Sequence, residues 1–236
     1  MKIVIQLLGG TACDILMSEA DLDFRATKDI DMILLIENRF EEFAEIFWQY
    51  IKDGGYTCGW KVEDEVRTQF YRFTEPRSSE YPKMIELFSK DPGYQLHDTD
   101  MVITPSHITD DISSLSAIML NDDYYRFMLE GREVVDGVGV LSAEYLIPFK
   151  IRAWVDLTER KSSGGHVNDK DLKKHKNDVF RLYNLVVPER KIQTSEAMKE
   201  DIRKYLDATD SQDKGLKILQ NDVQGVLNDL RRMHLM

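Results

Sequence analysis

The chain has 236 residues, 42% hydrophobic and 31% charged, an ordinary globular composition with ample material for a core. It contains no run of about 18 apolar residues, so no membrane span is expected. The net charge of −11 is uneven: residues 1–149 carry 13 Lys+Arg against 28 Asp+Glu, and residues 150–236 carry 18 against 14, a balance that argues against a broad nucleic-acid surface and leaves room for a local basic groove.

The opening "MKIVIQLLGG" holds only a short apolar run that enters a motif directly, so it does not read as a signal peptide. "KIVIQLL" predicts a strand, Gly9-Gly10 a break, and "TACDILM" a helix. The acidic connector "SEADLDFRATK" follows. "DIDMILLIE" predicts a strand buried on both faces after its first residues. In "RFEEFAEIFWQYI", Phe40, Phe43, Ala44, Phe47 and Ile51 repeat at helical spacing, and "DGG" at 53–55 stops that helix. "GWKVED", "TQFYRFTE" and "MIELFSK" predict shorter strands. Residues 91–111 read as loop or hairpin, and "EGREVVDGVGVLS" as a hairpin turning at Asp136-Gly137. From Ser142 onward only helices are expected: about 142–160, "DKDLKKHKNDVFRLYNLV" ended by Pro188, 195–207 and about 212–233.

The chemistry concentrates in "KDIDMILL". Asp29 and Asp31 lie two apart in a strand, so they project to the same side while Ile30 faces the other way. Two carboxylates held so close repel each other and are costly to bury. A divalent cation removes that cost, and Mg²⁺ is typically held by one or two carboxylates together with substrate phosphates. Glu86, the single acid inside the apolar alternation "KMIELFS", is the candidate third ligand. A bare D-x-D is also compatible with a strand entrance whose acids face solvent. The Gly-Gly turn is compatible with an ordinary strand-to-helix corner, or with backbone that comes close to a phosphate at a helix start, with Thr11 adding a hydroxyl.

Other signals are weaker. His166 and His175 read as surface histidines, and "KKHK" at 173–176 as a solvated helix face. Lys150 lies among Tyr145, Ile147, Phe149, Ile151 and Trp154, so it either snorkels out or points into a cleft. Arg25 is a loop charge able to pair with an acid or a phosphate. Cys13 and Cys58 lack metal-ligand spacing and read as reduced thiols of a cytoplasmic protein. G-x-S-x-G and G-K-[ST] are absent.

In combination, "LLGGTACDIL", "RATKDIDMIL" and "MIELF" resemble the nucleotidyltransferases of the DNA polymerase β superfamily, and among them the AbiEii-type toxins. The resemblance covers residues 4–36, 83–88 and 145–185. It implies that Asp29, Asp31 and Glu86 bind Mg²⁺ (or Mn²⁺) and that Gly9, Gly10 and Thr11 face a triphosphate, with Arg25 and Thr27 completing the motif. "PFKIRAWVDLTER" and "KKHKNDVFRL" look like the family's later helical pair, which places Lys150, Lys174 and Asp178 along the nucleotide pocket. Two departures stand out: 18 residues separate Gly10 from Asp29, and the chain opens almost directly on its first strand.

The expected fold is therefore an α/β (α+β) polymerase β-like nucleotidyltransferase domain with a small mixed sheet, residues 1–141, followed by a helical domain, residues 142–236. The expected activity moves a nucleoside monophosphate from a nucleoside triphosphate to an acceptor hydroxyl on RNA, protein or a small molecule. Asp29, Asp31, Glu86, Lys150 and Asp178 would be the catalytic set. RNA would be met through the local basic helix, and an antitoxin protein would be the partner of a toxin. The alternative is an inactive relative that only binds a nucleotide or a partner.

Overall fold

A computed structural model of the chain describes residues 5–35, 40–63, 68–89, 118–119, 121–209 and 223–235. The loop expected at 91–111 and the expected start of the last helix near 212 lie outside the described residues. Strand β1 (Ile5–Leu8) passes without a linker into helix α1 (Gly9–Glu19). Gly9 makes that corner possible, because its φ of +63° is backbone that L side chains avoid. Strand β2 (Asp29–Leu34) is half-buried over its first three residues and buried over the rest, as its apolar run predicts. Helix α2 (Phe40–Gly54) ends where Gly55 turns to φ +61°. The helix buries Phe47, Trp48 and Ile51, and both Phe47 and Trp48 meet Phe73 edge to face at 5.5 and 5.7 Å.

Strands β3 (Thr57–Glu63), β4 (Thr68–Thr74) and β5 (Met84–Ser89) follow. A short helix α3 (Asp122–Glu130) comes next; Asn121 caps it by accepting hydrogen bonds from the amides of Asp123 and Tyr124. The hairpin of β6 (Arg132–Val135) and β7 (Val138–Leu141) turns at Asp136-Gly137, both at positive φ, the backbone that two-residue hairpins favour. Helices α4 (Ala143–Ser162), α5 (Asp169–Tyr183), α6 (Glu196–Ala208) and α7 (Val223–His234) complete the described chain.

The fold is mixed α/β. As expected its sheet is mixed, with seven strands in the order β3-β4-β5-β2-β1-β7-β6. The β6–β7 hairpin joins it at β1 through a parallel pairing of Leu7 with Val140. β2 lies at the centre, antiparallel to β1 and parallel to β5. Beyond Leu141 the described residues hold helices only, yet one apolar core runs through both parts, from Ile33 and Ile85 to Ile147, Phe180 and Tyr205. α4 packs on α5 and α6, and also reaches α1, which places the helical layer over the head of β2. No helix among the described residues is long and apolar enough to cross a membrane.

Candidate active site

Sheet register decides which acids meet. In the parallel pairing of β2 with β5, Asp31 stands beside Glu86; in the antiparallel pairing of β5 with β4, Glu86 stands beside Arg72. Arg72 Nε donates to Glu86 Oε1 at 2.8 Å. The second carboxylate oxygen, Oε2, is buried without a hydrogen bond, and Glu86 as a whole is only 2% exposed. Asp29 lies two residues before Asp31, beside Met84. Burial, and then the charge of Glu86, push the pKa of Asp31 up to about 7, although Lys150 and Lys174 pull it the other way.

The Gly-Gly corner serves this pair. A methyl group on Gly9 would lie 1.7 Å from Asp31 Oδ2, and one on Gly10 would lie 2.8 Å from Thr27 Oγ1. The bare backbone predicted at 9–10 is therefore occupied by the chain's own Asp31 and Thr27. Thr11 Oγ1 donates to the backbone carbonyl of Asp29 at 2.8 Å, and Thr27 Oγ1 donates to the same carbonyl at 3.3 Å. Both threonines thus fix the entry of β2.

The opposite wall comes from α4 and α5. Lys150 points inward from α4 and is 3% exposed, which settles its direction in favour of the cleft. Its Nζ lies 3.4 Å from Asp178 Oδ2. Asp178 is fully buried and also receives Arg25 Nε at 3.3 Å and Nη2 at 2.8 Å, with Arg181 Nη1 at 3.1 Å. Arg25 and Arg181 in turn lie over the ring of Phe24, at 4.9 and 5.7 Å. Burial alone would raise the Asp178 pKa, but Lys150 and Arg25 outweigh it and hold the carboxyl below the usual range. Burial disfavours the Lys150 ammonium, yet Cys13 and the ionised Asp178 hold its pKa above the ordinary lysine value.

These elements enclose a cavity of about 140 Å³. Asp29, Asp31 and Glu86 line its sheet side, with Gly9, Gly10 and Thr27 at the corner. Lys150, Lys174 and His175 line its helical side. Arg25 and Asp178 stand behind that wall as a buried ion-pair cluster and do not line the cavity. Thr11 does not reach it either; it lines a second, larger cleft of about 610 Å³ that shares Thr27 and Asp29 with the first.

His175 corrects a reading of the sequence. It is not a surface histidine: it is half-buried at the cavity, and its Nδ1 is buried without a hydrogen bond. Burial, reinforced by Lys150 and Lys174, lowers its pKa to about 3, so the ring is neutral in ordinary buffers. His166, by contrast, is exposed as expected. "KKHK" is likewise not wholly a solvated face, since Lys174 and His175 turn inward while Lys173 is exposed. The i, i+4 spacing of Lys174 with the buried Asp178 was the available signal. Cys13 and Cys58 are both free and buried; burial pushes the Cys13 thiol up to about 11 and the Cys58 thiol up to about 12.

Among the described residues no three His, Cys, Asp or Glu side chains gather as a ready metal centre. Arg72 turns one oxygen of Glu86 away, and Asp29 lies between the two clefts. The chemistry of the Asp31–Glu86 pair nevertheless suits a hard divalent cation: two adjacent carboxylates, one carrying a buried oxygen with no donor.

No protein-family model matches the chain, and no curated protein matches it. Among solved structures it is similar to an antigenic nucleotidyltransferase-like protein from Paracoccidioides brasiliensis. The two are 17% identical with a TM-score of 0.39, over 90% of this chain and 84% of that one.

Proposed function

We propose that the chain is a nucleotidyltransferase that moves a nucleoside monophosphate from a nucleoside triphosphate to an acceptor hydroxyl. The observation that carries this reading is the side-by-side placement of Asp31 and Glu86 across β2 and β5, at a glycine corner, with Lys150 and Lys174 on the facing wall. Two like charges kept together beside two lysines suit a ligand that brings both a cation and an anion.

Asp31 and Glu86, with Asp29 next along the strand, would hold Mg²⁺ or Mn²⁺. When bound, such a cation supplies charge neutralisation for the phosphates beside the carboxylates. The protein's own groups do the rest. Lys174 meets phosphate oxygens from the helical side, and Lys150 adds positive potential from its ion pair with Asp178. Arg72 fixes Glu86 through Oε1, which leaves Oε2 to take the proton of the acceptor hydroxyl. The acceptor oxygen then bonds to the α-phosphorus, the bond from that phosphorus to the bridging oxygen breaks, and pyrophosphate leaves with the electron pair. The neutral His175 is placed to donate or accept one hydrogen bond to the nucleotide.

A second reading has an observation of its own. Lys150, Arg25 and Arg181 are all committed to Asp178, so only Lys174 lines the cavity without an ion pair among the described residues. That favours a relative which binds a nucleotide without turning it over. An AbiEii-like role as the toxin of a toxin–antitoxin pair would require the active form. Pyrophosphate release separates the two readings. The transferase releases pyrophosphate from a nucleoside triphosphate with Mg²⁺ and cell extract, and the Asp31→Asn variant does not. A melting shift with Mg²⁺–nucleotide but no pyrophosphate gives the second reading.

A further inference from the structure

The larger cleft beside the carboxylate cavity has a distinct character. The loop between β4 and β5 forms one bank, and Thr11, Thr27 and Lys28 form the other. Three cations line it: Lys28, Arg77 and Lys83. Each is exposed, and among the described residues none of them is held in an ion pair. Most arginines elsewhere in the fold have a carboxylate partner, as Arg25, Arg72, Arg152 and Arg190 show. Two acids also border the cleft, Glu80 at its rim and Asp29 where it joins the cavity.

The loop is built, not loose. The Arg77 amide donates to the Gly54 carbonyl at 2.8 Å, and the Arg77 side chain lies in the space that a methyl group on Gly55 would fill, 2.3 Å from Nε. The Lys83 amide donates to the Lys28 carbonyl at 2.7 Å, which ties the two lysines' backbones together across the cleft floor. Tyr56 Oη donates to the Pro82 carbonyl at 2.6 Å. Ser78 and Ser79 add hydroxyls to the lining and Tyr81 a ring, beside the apolar Ile30, Pro76 and Pro82. Unpaired cations on both banks of a braced cleft, beside hydroxyl donors and an aromatic ring, have the chemistry that binds phosphate and carries a base or sugar.

We infer that this second cleft is the acceptor site and that the acceptor carries phosphate. The inference rests on the transferase reading, because Asp29 and Thr27 are shared by both clefts and a ligand in the larger one would present its hydroxyl to Asp29 and, past it, to Glu86. The acceptor is then a nucleotide or the end of a nucleic-acid strand, and a neutral alcohol is disfavoured. It binds through Lys28, Arg77 and Lys83 rather than through residues 173–176 of α5.

The test uses the full chain, fluorescence anisotropy and two probes, a short fluorescein-labelled single-stranded RNA and a fluorescein-labelled nucleoside monophosphate. At least one probe binds the wild type, and the arm that binds distinguishes strand from free nucleotide. For the strand, binding falls with salt with a log–log slope of about −2, as three neutralised phosphates predict. The K28A/R77A/K83A variant binds at least about tenfold more weakly, a loss in keeping with three charge-assisted contacts. K28A/K83A leaves Arg77 on Gly55 and serves if the triple variant does not fold. The Mg²⁺–ATP melting shift stays as in the wild type for both variants. The inference is overturned if neither probe binds, if the variants bind like the wild type, or if the variants lose the Mg²⁺–ATP shift, which would assign the cleft to the triphosphate. Cation-dependent binding without pyrophosphate release would leave the cleft standing and remove the transferase reading. Release that is unaffected by the cation variants would do the reverse.

Discussion

A methyl group on Gly9 would lie 1.7 Å from Oδ2 of Asp31 and 2.7 Å from its Cγ, so a β-carbon on the first residue of α1 collides with the carboxylate of the third residue of β2. The glycine is required twice, for its φ of +63° and for the room it leaves. The corner that ends β1 is thereby the device that lets a carboxylate sit at a helix start.

Gly9→Ala meets both requirements at once. A left-handed alanine costs about 1–2 kcal/mol, and displacing Asp31 adds an overpacking cost of about 1–3 kcal/mol. Urea denaturation should show a loss of about 2–5 kcal/mol as the sum of those ranges. Gly10→Ala, at ordinary φ and 2.8 Å from a threonine hydroxyl, should lose less.

Asp31 carries a stability cost that depends on pH. Its folded pKa is about 7, above the ordinary aspartate value of 3.8, so the folded state binds the proton more tightly than the unfolded state does. The contribution of Asp31 is therefore most favourable below the unfolded value, is lost as pH rises between the two values and levels off above about 7. The buried His175 and His234, whose folded pKa values lie below the ordinary histidine value, act in the opposite sense up to about 6.5, so the test is the difference between two chains that share them. In EDTA, the melting temperature of Asp31→Asn should gain on that of the wild type from pH 5 to pH 8 and exceed it at pH 8. A difference that does not grow over this interval would contradict the carboxylate pairing.

Asp178 and Lys150 should behave asymmetrically. Asp178→Ala leaves the buried Lys150 ammonium without its partner, and breaking a buried pair in this way costs about 3–5 kcal/mol. Lys150→Met leaves Asp178 with Arg25 and Arg181, so it should cost clearly less. Chemical denaturation of the two variants decides the order, and equal losses would mean that Lys150 supplies most of the compensation for Asp178.

Much of this arrangement was legible in local patterns. The Gly-Gly break, the buried run after Asp31, the apolar alternation around Glu86 and the Asp136-Gly137 hairpin are all period or turn signals. What escaped depends on distance in sequence. Arg25 meets Asp178 across 153 positions, and no local rule joins them. The parallel pairing of β1 with β7 is equally non-local. Helix α3 is hard to read locally because "DDYYRFMLE" mixes acids and aromatics, and its start is fixed by the Asn121 cap. The inward turn of His175 is not legible locally, because "KKHK" shows no apolar stripe that would say which of its residues face inward. The room at Gly9-Gly10 was anticipated, but its occupants, Asp31 and Thr27, follow only from the packing.

Nucleotidyl transfer by the Asp31–Glu86 pair, as proposed above, can be tested directly. The most direct measurement incubates the purified chain with each of the four α-labelled nucleoside triphosphates, Mg²⁺ and cell extract, alongside the Asp29→Asn/Asp31→Asn variant. Label is expected on an acceptor with the wild type and at least one triphosphate, and none with the variant. Label that is equal with the variant, or absent with all four triphosphates, would contradict it.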